Sequence, residues 1–64
     1  MKLIELHYNG MPFSLRVDYI AAVNTVEFRD GCEVFMVGEG QPWNPDESYE
    51  EVLRMIQEVS NETG

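Results

Sequence analysis

The sequence predicts an α+β domain: a four-stranded antiparallel β-meander, made of two hairpins, followed by one C-terminal α-helix. The sheet is expected over about 2–37, a loop over 38–45 and the helix over about 46–60. Three features carry this reading. The dipeptides Asn9-Gly10 and Asp30-Gly31 each separate two strand-like segments. A Gly- and Pro-rich stretch, 38–45, then interrupts the strand pattern. Beyond it, apolar residues recur at three- and four-residue spacing.

In the first segment Ile4, Leu6 and Tyr8 alternate with Glu5 and His7, so the two sets lie on opposite faces of a strand. Asn9-Gly10 suits the two positive φ angles of a type I′ turn. A two-residue loop sets Tyr8 opposite Met11, Leu6 opposite Phe13 and Ile4 opposite Leu15, with Glu5 against Ser14 and Leu3 against Arg16. A slip of one residue would place apolar side chains against the wrong face, so turn chemistry and apolar pattern agree on one register.

Asp18 is placed to cap a single turn after Val17. A third strand is expected from about Ala22 to Arg29 and a fourth from Cys32 to about Val37, joined at Asp30-Gly31. With a two-residue loop Phe28 faces Glu33 and Val26 faces Phe35, which puts Val26, Phe28, Phe35 and Val37 on the core side and turns Cys32, Val34 and Met36 outward. A loop of three or four residues exchanges the two sets on the return strand. In either register that strand is apolar on both sides, and a small antiparallel sheet ordinarily keeps one face wet. The second apolar set therefore calls for a cover, either a partner or the chain's own loop 38–45.

Two overlapping signals mark the helix start: Asn44-Pro45-Asp46-Glu47, with Pro in the first helical position, and the capping box Ser48-Tyr49-Glu50-Glu51. Tyr49, Val52, Leu53, Ile56 and Val59 form its apolar stripe, and Glu50, Arg54 and Glu58 its outer face.

Size constrains the rest. A chain of 64 residues makes one domain with a thin core, burying only roughly 60% of the surface exposed when unfolded. Such domains commonly add a disulfide, a metal or a partner subunit. Cys32 is the only cysteine and His7 the only histidine, so there is no intramolecular disulfide and no zinc-ligand spacing. No cofactor is expected, and self-association is the remaining route to more burial. The lone thiol, the absence of a signal-peptide pattern at the N-terminus and the lack of any apolar run near the roughly 20 residues of a membrane span predict a cytoplasmic chain with no membrane contact.

Net charge is −8, with twelve acidic residues against Lys2, Arg16, Arg29 and Arg54. Phosphate backbones are bound by Lys and Arg, so direct nucleic-acid binding is not expected. An acidic surface keeps a small domain soluble, and it also offers a way to occupy a basic groove on a nucleic-acid enzyme, through Asp46, Glu47, Glu50, Glu51 and Glu58.

None of the reactive residue types is set up for catalysis. Cys32 has only Arg29 as a basic neighbour across its hairpin, too little to favour a thiolate. His7 falls opposite Pro12 with no carboxylate or hydroxyl fixed beside it and reads as a surface strand residue. The paired carboxylates Asp46-Glu47 and Glu50-Glu51 cluster at a helix N-terminus, where they offset the macrodipole. Trp43, between Pro42 and Pro45, either folds back over a core edge or is offered to a partner. The expected partner-binding set is Cys32, Val34 and Met36, or the alternates Phe35 and Val37, together with Trp43.

The pattern Asn9-Gly10-x-x-Phe13-x-Leu15-x-x-Asp18-x-Ile20, then Gly31-x-x-x-Phe35-x-Val37, then Glu47-Ser48-x-Glu50-Glu51-Val52, resembles the small FlbD-type flagellar and swarming-motility proteins. The resemblance spans residues 3 to about 56. It departs at Gly38–Asp46, where that family runs almost directly from strand to helix. Similar short meander-plus-helix proteins occur among phage and mobile-element genes. The resemblance implies a non-enzymatic accessory role and supplies no catalytic residues. The expected function is thus a bacterial or phage-borne interaction module, a homo-oligomer that binds another protein, with an acidic inhibitor or DNA mimic as the alternative.

Overall fold

A computed structural model of the chain describes residues 2–27 and 31–61. Four antiparallel strands form two hairpins, β1 (Leu3–Tyr8) with β2 (Met11–Arg16) and β3 (Ile20–Thr25) with β4 (Cys32–Met36), followed by helix α1 (Tyr49–Ser60). This is the expected α+β class. The four strands make two two-stranded sheets, because β2 leads through a single 3₁₀ turn, Val17–Tyr19, into β3 without pairing with it. Asp18 lies inside that turn and does not cap it; the preceding Arg16 makes no side-chain cap bond either.

The first hairpin has the expected register throughout, from Leu3 opposite Arg16 to Tyr8 opposite Met11. Asn9 and Gly10 take φ of 51° and 82°, the pair of positive angles that a type I′ turn needs.

The second hairpin corrects the expected register. Thr25 pairs with Cys32 and Ala22 with Phe35, so β3 ends before Val26 and the connection spans 26–31. Phe28, Arg29 and Asp30, and with them most of the expected Asp-Gly turn, lie outside the described residues. Of the two inward sets left open, the structure takes the one that a longer loop allows: Cys32, Val34 and Met36 are buried, Phe35 is half-buried, and Val37 is 64% exposed. The cause lies in Glu33. Turning Phe35 and Val37 inward would carry Glu33 with them by the two-residue period, whereas burying Cys32, Val34 and Met36 puts it, half-buried, on the opposite face. A bulge between Ile20 and Ala22 resets the phase of β3, so that Ile20 and Val23, three residues apart, both pack against the core.

Helix α1 starts at the second of its two signals. Ser48 is the N-cap, its Oγ accepting from the Glu51 N–H at 3.2 Å, with Glu50 and Glu51 in the first turn. Its stripe differs by one residue: half-buried Tyr49, Met55, Ile56 and Val59 pack on the core around buried Val52, with Met55 in the place expected of Leu53. Val52 is fully buried against Ile4, Leu6, Leu15, Cys32, Val34 and Met36, so both hairpins and the helix share one small core. Among the described residues no helix is long and apolar enough to cross a membrane.

Candidate functional site

The segment between β4 and α1 joins the two hairpins. After β4 the chain turns at Gly38, whose φ is 85°, with the Glu39 N–H donating to the Met36 carbonyl at 3.2 Å. It then runs back along β4's outer edge. Trp43 and Val34 exchange both backbone hydrogen bonds, at 2.8 and 2.9 Å. Pro45 is fully buried, and three residues beyond Trp43 the Asp46 N–H donates to the His7 carbonyl on β1 at 2.6 Å. One short strap thus bonds to a strand of each hairpin.

Two carboxylates fasten it. Asp46 accepts from the N–H groups of both turn residues, Asn9 at 3.1 Å and Gly10 at 2.9 Å, and these bonds from Gly10 and then Asn9 hold its carboxyl below the usual carboxylate value. Glu47 accepts from the His7 backbone N–H at 2.9 Å and from its Nδ1 at 2.7 Å. Burial pushes the Glu47 carboxyl up, but the His7 bonds outweigh it and the net displacement is downward. His7 is raised, chiefly by its bond to Glu47, against an opposing effect of burial. Its other ring nitrogen is 4.0 Å from Glu5. The expectation that His7 stands with no fixed carboxylate is therefore corrected, and Asp46 and Glu47 act as a clamp, not as first-turn charges. Their engagement explains why the helix begins at the later signal. Both oxygens of each carboxylate hold strand and turn groups in place.

Trp43 folds back on the first hairpin, one of the two settings expected of it. Its indole stacks on Phe13 of β2, ring centroids 5.1 Å apart at 22°, and its Nε1–H donates to Glu39 at 3.2 Å. It nonetheless remains 40% exposed. Beside it Tyr8 is 54% and Met11 70% exposed, at the turn end of the hairpin face that buries Ile4, Leu6 and Leu15 further along. Tyr8, Pro42, Trp43 and Asn44 line an open cleft of about 210 Å³. The result is an aromatic shelf, held in place by backbone bonds on one side and the clamp on the other.

Of the expected partner-binding residues, Trp43 is on this shelf. Cys32, Val34 and Met36 are in the domain's own core, which removes the outward apolar face expected of them, and Phe35 is half-buried on the other face of β4. The chain's own loop is the nearby element, though it pairs with β4's edge and leaves its face to the helix and β1. Cys32 further donates its S–H to the Glu47 carbonyl at 3.7 Å, an inert setting for a thiol. Tyr8 and Met11 were legible only as the end of a hairpin face longer than one helical stripe covers. Of the five carboxylates expected to form an acidic surface, Asp46 and Glu47 are occupied by hairpin 1, while Glu50, Glu51 and Glu58 are exposed.

Comparison with protein-family models, with curated proteins and with solved structures finds no match to this chain.

Proposed function

We propose that this chain is a non-enzymatic interaction module that binds another protein through the shelf formed by Tyr8, Met11, Phe13 and Trp43. The observation that carries the reading is Trp43: a large aromatic, 40% exposed, whose backbone is bonded to Val34 and whose ring is stacked on Phe13. A pre-positioned Trp loses little freedom on binding, and such residues commonly dominate binding energy. The cleft beside it accepts an aliphatic or proline side chain, and the net charge of −8 favours basic residues flanking that side chain. The accessory role implied by the resemblance to FlbD-type proteins agrees with this reading.

Met11→Glu tests it, since Met11 is 70% exposed and its loss leaves the core intact. Quantitative capture from a native lysate should recover a set of proteins with the unaltered chain that Met11→Glu and Trp43→Ala both lose, with the Tm of Met11→Glu unchanged. Capture indifferent to both substitutions would overturn the reading.

A further inference from the structure

Strand β3 has one edge paired with β4 and, among the described residues, no backbone partner on the other. Which of its groups point to that open edge follows from the far side of β4. Val34 spends its N–H and C=O on Trp43, so its peptide groups turn away from β3. Val23, opposite Val34, therefore sits in a pair without mutual hydrogen bonds, and its own N–H and C=O point outward. By the two-residue period those of Thr25 do the same.

Open edges are ordinarily guarded by charge, by proline or by a covering element. The free edge of β2 has Pro12 within it and Arg16 at its end. β3, Ile20–Thr25, contains neither a charged residue nor a proline, and Ala21, Ala22, Asn24 and Thr25 are exposed.

We propose that β3 pairs antiparallel with β3 of a second copy, across a two-fold axis at Val23, so that two β3–β4 sheets become one. Charge selects a second copy as the occupant. Two chains of net charge −8 meet with no like charges opposed along an uncharged strand, and among the described strands β3 is the one without a charged residue, β2 having Arg16 as well as Pro12. Opposite charges flank it: the Arg16 guanidinium, 4.3 Å from the centre of the Tyr19 ring, precedes the strand, and Glu27 follows it. With Val23 on Val23 of the second copy, Ala22 falls against Asn24, and antiparallel pairing brings the start of each strand, beside Arg16, to the end of the other, beside Glu27. The inference stands apart from the aromatic shelf, which lies on hairpin 1 and the strap, across β4 from this edge.

Light scattering after size exclusion, over a dilution series of the full chain, tests it. The unaltered protein should show a mass of twice 7.4 kDa. Ala22→Glu, at an exposed side chain, and Thr25→Pro, which removes an outward N–H and leaves the ladder to β4 intact, should each raise the dimer dissociation constant about tenfold or more. Should Thr25→Pro fail to fold, Ala22→Glu alone decides. Met11→Glu on the shelf should leave the mass unchanged. A monomer throughout, or a dimer broken by Met11→Glu and indifferent to Ala22→Glu, would overturn the proposal; the first leaves the shelf reading standing.

Discussion

The two hairpins of this chain are built from similar local signals and obey different masters. In β1–β2 the Asn9-Gly10 dipeptide, the alternation of Ile4, Leu6 and Tyr8 and the matching alternation of Met11, Phe13 and Leu15 all specify one register. In β3–β4 the register expected from a two-residue Asp-Gly loop does not form: the strands meet at Thr25 and Cys32, and a bulge shifts the phase of β3. The lesson is that a turn dipeptide sets register only where the flanking strands have one apolar face each. β4 is apolar on both faces, so its orientation is left to the core and to the cost of burying Glu33.

The largest effect that tests this contrast is in the shared core. Leu6 and Val34 are both fully buried, one in each hairpin. Leu6→Ala should destabilise by about 2–5 kcal/mol in chemical denaturation, which in a domain this small leaves little folded population. Val34→Ala deletes less volume but also sits where Trp43 pairs, so a loss equal to or above that of Leu6→Ala would show that the strap is cooperative with the core.

Next comes the turn itself. Gly10 holds a φ of 82° with open space where a Cβ would stand, so Gly10→Ala meets no clash and costs only backbone conformation. The expected loss is about 1–2 kcal/mol. A loss well under that, measured by urea midpoint, would mean that tertiary contacts hold hairpin 1 as they hold hairpin 2. Ser48→Ala, which removes the single side-chain cap of α1, should cost about 1 kcal/mol.

The smallest effect, and the most specific, is the pH dependence of the clamp that joins the hairpins. His7 is raised from its ordinary value of 6.5, so its contribution is fully present below that pH and is lost as pH rises through the raised value. Asp46 and Glu47 are lowered from 3.8 and 4.5, so theirs is present above those values and is lost as pH falls through the lowered ones. The clamp should therefore be strongest between about pH 4.5 and 6.5. Thermal melts across pH should show Tm falling on both sides of this window. His7→Gln should remove the alkaline decline and Asp46→Asn should flatten the acidic one. An alkaline decline that survives in His7→Gln would assign it to another group.

The legible part of the fold is the part written in neighbouring residues. Hairpin 1, the existence of β4 and the capping box at Ser48 each follow from dipeptides or short periods, because their energetics are local. The clamp was invisible for the opposite reason: His7 and Glu47 lie far apart in sequence, and nothing in the composition of either neighbourhood announces the other. Trp43 was legible as a candidate from its flanking prolines, yet its platform was not, since Phe13, Tyr8 and Met11 belong to a hairpin that the strap reaches only in three dimensions.

By itself the sequence determined the element types, the register of β1–β2 and the absence of a disulfide, since turn angles, side-chain period and residue counts act at short range or need no geometry. Only the tertiary structure decided which face of β4 is buried, where β3 begins and ends, which helix-start signal is used and what surrounds Trp43. Each of those choices balances several near-equal local options, and the balance is tipped by burial of Cys32, Val34 and Met36, which keeps Glu33 off the core face, and by the bonds that Asp46 and Glu47 make to hairpin 1.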